Sequence, residues 1–124
     1  MKVVCPVDCG NAPRKEILRD WNIALAGGDA AAVAELLADD VVFEPVGGSP
    51  IEGKAAVLSY FETAGVATDE LRIHNIITHG NTAALNASRL LSDGQRWDYC
   101  HVYLFKGFSR KAKLGRITSY RIEI

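Results

Sequence analysis

The segment from Trp97 to Phe105 carries a ring-bearing side chain at every second position. Alternate residues of an extended strand share one face, so Trp97, Tyr99, His101, Tyr103 and Phe105 form a single aromatic stripe with polar tips. A tyrosine hydroxyl or an imidazole held in a dry cavity can hydrogen-bond a carbonyl oxygen and polarise it. That stripe is the expected wall of a pocket. Its opposite face, Asp98, Cys100, Val102 and Leu104, is apolar in the middle, and the expected cover for it is a second copy of the chain, giving a homodimer through the outer sheet face. The other chemical candidate is Glu44, a carboxylate that closes the β-branched and aromatic run beginning at Val41, immediately before Pro45.

Other chemistries find less support. His74 and His79 differ by five positions on a strand and face opposite sides, so they do not make a metal pair. Cys5 and Cys9 stand at C-x3-C, but no second close pair of Cys or His completes a site, and free thiols in a loose N-terminal arm of residues 1–11 are expected. With no metal set, no P-loop, no dinucleotide fingerprint and no G-x-S-x-G elbow, no cofactor is expected. On the stretch Thr82 to Leu91, Asn86, Ser88 and Arg89 are polar among Ala and Leu, and the sequence leaves open which face is inward.

A net charge of -1 argues against nucleic acid as a partner. The basic cluster Lys106, Arg110, Lys111, Lys113 and Arg116 reads as a solvated hairpin tip. The chain contains no apolar run of the ~18 residues needed to span a membrane, and its first residues lack the apolar core of a signal peptide. Three cysteines, an odd number, fit a reducing compartment, so a cytoplasmic location is expected.

The elements that must position these residues follow from periodicity. Ile17, Leu18, Trp21, Ala24 and Leu25 recur on one face of a helix entered at Asn11 or Ala12 before Pro13 and ended by Gly27 and Gly28. Asp29 reads as the N-cap of a short second helix that turns Val33, Leu36 and Leu37 inward before Asp39 and Asp40 break it. Val41 to Glu44 reads as a short edge strand, and a third helix from Lys54 to about Thr63 carries Val57, Leu58 and Phe61 and ends near Gly65. Four strands are expected thereafter, at Leu71 to Thr78, Thr82 to Leu91, Arg96 to Phe105 and Leu114 to Ile124, with turns at Gly80-Asn81 and Asp93-Gly94. Helices followed by hairpin-linked strands give an α+β fold in one domain of 124 residues: three N-terminal helices on a strongly bent mixed or antiparallel sheet of four to six strands, forming a cone with one pocket.

Four segments resemble the helical half of bacterial ketosteroid isomerases, in the SnoaL-like branch of the nuclear transport factor 2-like superfamily. They are Arg19 to Asp29, Leu36 to Asp40, Glu44-Pro45-Val46-Gly47 and Gly53-Lys54-Ala55-Ala56. The resemblance covers roughly residues 14–63 by motif and the remainder by strand order. It implies proton removal beside a ketone in an apolar pocket, by a carboxylate base opposite an oxyanion hole. Glu44 occupies the base position, where desolvation would raise its pKa toward neutrality; an exposed carboxylate at a strand end is the other reading. The oxyanion donors transfer less cleanly. The first falls at Trp21, which can donate one hydrogen bond or simply close the core, and the second at His101 or Tyr103, according to how the strand is aligned. Trp97, Tyr99, Phe105 and Phe61 complete the implied ligand-binding set, and the implied ligand is a small apolar or cyclic carbonyl compound. The family pattern of the limonene epoxide hydrolases fails at Ala87 and Ile122. A pocket that only binds a hydrophobic ligand is the alternative function.

Overall fold

Pro13 supplies the fixed φ and the missing N–H that suit a first helical residue, and helix α1 (Pro13–Gly27) starts there. The computed structural model describes residues 1–6, 13–63 and 67–124. The expected helix entry at Asn11 or Ala12, the expected helix end at Gly65, and Cys9 lie outside the described residues. At the end of α1, Gly28 takes a left-handed conformation (φ +76°), which lets the chain reverse within one residue. Asp29 then caps helix α2 (Ala30–Leu36), its carboxylate accepting the N–H of Ala32 at 3.2 Å. Helix α3 (Lys54–Thr63) completes the three. The buried face of α1 is Leu18, Trp21, Asn22, Ala24 and Ala26, a slight rotation from the expected face that brings a polar residue, Asn22, to the core.

Seven strands form one mixed sheet: β1 (Lys2–Val4), β2 (Leu37–Pro45), β3 (Ile51–Glu52), β4 (Thr68–His79), β5 (Thr82–Leu91), β6 (Arg96–Phe105) and β7 (Leu114–Glu123), in the order β1-β4-β5-β6-β7-β2-β3. The four long strands match the expected ones closely, because their turns and alternation are local signals. Three expectations are corrected. Residues 2–4 are not part of a loose arm, since they pair in parallel with Glu70 to Arg72 of β4. The strand at Val41 begins earlier, at Leu37, and is not an edge, since it pairs in parallel with β7 and antiparallel with β3. The sheet has seven strands among the described residues, more than the four to six expected; the short edge strands β1 and β3 carry little pattern of their own, and β1 depends on a partner far away in sequence.

Register shifts interrupt β4 between Thr68 and Glu70 and between Ile73 and Asn75, and interrupt the β6–β7 ladder at Leu104 and Phe105. Such bulges bend and twist a sheet. The helices pack on its inner face, burying Leu18, Val33, Val57, Leu71, Leu85, Leu114 and Ile117. Each such side chain contributes about 1.5–3 kcal/mol of burial. The layer is not filled throughout, and the space left over is the site described next.

Candidate functional site

A cavity of about 760 Å³ opens between the helices and the inner face of the sheet, the size of a small-molecule site. One wall comes from the α1–α2 reversal, Ala24 to Gly28 with Val33, and another from Leu58, Tyr60, Phe61 and Glu62 of α3. Phe43 and Pro45 of β2 and Val46 beyond it close one side. The floor is polar: Arg89 on β5, Trp97, Tyr99 and His101 on β6, and Ser119 and Arg121 on β7. Sheet register explains this grouping, since Arg89 stands opposite Trp97, Tyr99 opposite Arg121, and His101 opposite Ser119.

Exposure along the β6 stripe falls from 9% at Trp97 and 8% at Tyr99 to 4% at His101 and 0% at Tyr103. The outer half of the stripe therefore faces the cavity and the inner half is core. Between the two halves runs a hydrogen-bonded network centred on Asn22. Its amide nitrogen donates to the carbonyl of Leu18 at 2.8 Å and to the Tyr103 hydroxyl at 2.9 Å, while its oxygen accepts the Tyr99 hydroxyl at 3.0 Å. Leu18's carbonyl can only accept, which fixes the orientation of the amide. The Tyr103 oxygen, already an acceptor, has its own proton left to donate to Nδ1 of His101 at 3.0 Å. By this count of donors His101 carries its hydrogen on Nε2. No partner for Nε2 exists among the described residues, and the ring lines the cavity.

Burial, and secondarily the positive charge of Arg89, push the His101 pKa down to about 3. The ring is therefore a neutral donor at physiological pH. Burial also pushes the Tyr99 and Tyr103 hydroxyls above the ordinary phenol value, so both stay protonated. Aromatic rings surround the imidazole: Tyr99 at 4.6 Å between centroids, Tyr103 at 5.6 Å, Phe43 at 6.2 Å and Trp21 at 6.3 Å.

The outer end of the floor is cationic. The guanidinium carbon of Arg121 lies 4.1 Å from the Trp97 ring centroid and that of Arg89 lies 5.4 Å from it. Arg89 also donates to the Thr68 hydroxyl from Nε at 3.1 Å and from Nη2 at 2.7 Å. Trp97's indole nitrogen is buried without a hydrogen-bond partner among the described residues.

Of the residues selected from the sequence, Trp97, Tyr99, His101 and Phe61 meet at the cavity. The other four do not line it. Glu44 points to the outer face, because Phe43 and Pro45 take the inward positions of β2 and parity sends Glu44 the other way; there it pairs with Arg116. Tyr103 lies beneath the floor, with its hydroxyl bonded to Asn22 and His101. Trp21 is a core residue whose indole N–H donates to the carbonyl of Val33 at 3.0 Å, tying α1 to α2. Phe105 is buried at the far end of the stripe under the Arg14 guanidinium, 4.1 Å from its centroid.

Sequence reasoning missed Asn22, Ser119 and Arg121, and it named Arg89 while leaving its direction open. Asn22 had a signal, lying four residues after Leu18 on the same helical face. Counting through a two-residue Asp93-Gly94 turn would set Arg89 opposite Asp98 and outward; in the structure the loop runs from Ser92 to Gly94, with the Leu91 N–H donating to the Gln95 carbonyl, and that one-residue difference puts Arg89 opposite Trp97. Among the described residues no group of three or more His, Cys, Asp or Glu is placed to hold a metal ion, and no helix is long and apolar enough to cross a membrane.

Residues 18–110, well over half of the chain, match the family described as the SnoaL-like domain. No curated protein sequence matches the chain. Among solved structures, it is similar to an NTF2-like protein of unknown function from Burkholderia xenovorans LB400, with a TM-score of 0.78 at 19% identity over 94% of this chain and 88% of that one. A protein from Kribbella flavida DSM 17836, provisionally named a ketosteroid isomerase, superposes with a TM-score of 0.75 at 21% identity over 94% and 82% of the two chains. The epoxide hydrolase/cyclase-like enzyme SalBIII, of pyran ring formation in salinomycin, superposes with a TM-score of 0.70 at 21% identity over 88% and 90%. At these identities the likeness is one of fold, the NTF2-like α+β arrangement.

Proposed function

We propose that this chain, which belongs to the SnoaL-like domain family, binds a small, mainly apolar cyclic compound in its cavity and holds an oxygen of that compound through the Nε2–H of His101. One observation carries the reading: a neutral imidazole, its Nδ1 occupied by Tyr103, lines an aromatic cavity with its other nitrogen unpartnered among the described residues. A donor fixed before the ligand arrives loses little on binding, which suits a carbonyl acceptor. The test is a titration with 2-acetylnaphthalene followed by imidazole ¹⁵N and ¹H resonances. Binding should shift the His101 Nε2–H signal, and His101→Phe should weaken affinity about three- to tenfold. Binding that leaves the His101 signals unmoved would refute this role.

A second reading, proton-transfer catalysis on such a carbonyl compound, has one specific support. Glu62 of α3 is the sole carboxylate among the described residues that line the cavity, and it is the candidate for the base that Glu44 is not placed to be. The isomerase- and cyclase-like names among the structural neighbours agree with it. An ultraviolet assay of double-bond migration in a β,γ-unsaturated cyclic ketone separates the readings. Turnover lost in Glu62→Gln and retained in Glu44→Gln supports catalysis, and no turnover in the wild type leaves a binder. We also propose a homodimer through the outer sheet face, where Val102, Leu104, Tyr120 and Ile122 are exposed; Val102→Glu with Tyr120→Glu should shift the mass by light scattering to that of one chain.

A further inference from the structure

The geometry points to an anionic group on the ligand: the cavity takes a cyclic carboxylic acid whose carboxylate docks between Arg121 and Arg89 over the Trp97 ring, while the apolar body reaches inward toward His101. This rests on the proposed binding role of the cavity.

The charges around the cavity are unevenly placed. Both arginines stand at the outer end of the floor, in register with Trp97 and Tyr99, and their guanidinium carbons lie 5.4 and 4.1 Å from one indole centroid. Glu62, the lining carboxylate, is exposed on α3. Arg121 has a single hydrogen-bond partner among the described residues, Glu123, at a long 3.4 Å on the same strand. Its planar fork is thus available for a carboxylate, for which a bidentate pair is the matching geometry.

Electrostatics agree with the placement. Arg89 has its pKa lowered by burial and, more weakly, by the charge of Arg121, while the neighbouring Tyr99 acts the other way. Two like charges that oppose each other beside an aromatic plate are relieved by an anion set between them. The indole ring lies within cation–π reach of both guanidinium groups and so keeps them together at this end of the floor. From Trp97 to His101 is four residues of extended strand, about 13 Å. A compound with a carboxylate at one end, a carbonyl at the other and rings between them spans that distance once the arginine side chains reach in. Neutral ketones would use the inner donor alone.

The probe is 6-acetyl-2-naphthoate, compared with its methyl ester, which has the same rings and ketone without the charge. Affinities are measured by calorimetry at low and at physiological salt, with 2-acetylnaphthalene as the charge-free reference for the cavity itself. The acid should bind about tenfold or more tighter than the ester at low salt, and the preference should shrink as salt rises. Arg121→Gln should remove most of that preference, read as the ratio of acid to ester affinity within the same variant, while Arg121→Lys should restore part of it. An ester that binds as tightly as the acid, with 2-acetylnaphthalene bound, overturns the anionic assignment and leaves the cavity reading standing. Failure of all three compounds to bind overturns both. A preference for the acid that survives Arg121→Gln in full overturns the assignment to this arginine pair.

Discussion

Lowering the pH from 6.5 to 4.5 tests whether His101 is locked in its neutral form. Its folded pKa, about 3, lies below the ordinary value of 6.5. In that interval the unfolded chain binds a proton at this residue and the folded chain does not, so stability falls as the pH falls. The full slope is about 1.36 kcal/mol per pH unit and is only half-developed at pH 6.5, where the unfolded residue is half-protonated, so the window removes about 2.3 kcal/mol, a large share of the ~5–15 kcal/mol that holds a domain together. The carboxyls of Asp40, Glu70 and Asp98 are also held below their ordinary values, by hydrogen bonds to Lys106, Arg72 and Arg96 respectively; their contributions begin to fall as the pH approaches those ordinary values, at the acid edge of the window for Glu70 and below it for the two aspartates, and they are common to wild type and variant. The assay is urea denaturation of wild type and His101→Gln at half-unit steps of pH, comparing slopes so that any overall loss of stability in the variant cancels. Wild type should lose about 2.3 kcal/mol more than the variant across the window, a difference in midpoint shift of about 1–2 M urea. Parallel slopes, or a His101 imidazole that titrates above pH 5 by NMR, would refute the reasoning.

Three further outcomes are expected. Asn22→Leu deprives the buried Tyr99 hydroxyl of its acceptor and Tyr103 of a donor, and should cost about 2–4 kcal/mol in urea denaturation, with marked non-additivity against Tyr103→Phe. Glu44→Gln breaks a half-exposed ion pair with Arg116 on the outer face; it should cost no more than about 1 kcal/mol and leave ligand affinity unaltered in the titration with 2-acetylnaphthalene. Asp29→Ala removes the cap of α2 and should cost about 1 kcal/mol, seen as a fall in Tm of about 3–6 °C by differential scanning calorimetry.

What was legible in the sequence divides along the range of the signal. The four long strands could be placed nearly to the residue, since alternation and the turn at Asp93-Gly94 are local. The stripe from Trp97 to Phe105 likewise declared its face, but period two gives parity and says nothing of depth. Depth is set by which part of the strand the helices cover, and so Tyr103 and Phe105 became core while Trp97, Tyr99 and His101 met the cavity. Glu44 failed for a related reason. The resemblance fixed its position in the chain, whereas its direction depends on parity within β2, and Val41 and Phe43, both buried, had already claimed the inner side.

The arginines show where the limit of such reading lies. Arg89 is one hairpin turn away from Trp97, and they pair only because that turn holds the extra residue Ser92, since a two-residue Asp93-Gly94 turn would put Asp98 opposite Arg89. Arg121 reaches the same ring only through the β6–β7 ladder, whose register is reset by the irregularity at Leu104 and Phe105, next to a connection closed by the Lys106 N–H donating to the Lys113 carbonyl. A cation over an aromatic ring therefore arises here from two pairings, one set by the three-residue turn and one by the folded β6–β7 ladder. The chemistry of the cavity changes with that second pairing. Without Arg121, the floor is an apolar surface with one buried cation and a neutral donor, suited to a ketone. With Arg121 beside Trp97, its outer end attracts an anion at a distance while its inner end, where His101 stays uncharged, repels none. A ligand that satisfies both ends must be polar at its two extremities and apolar between them, and orientation in the cavity then follows from charge alone.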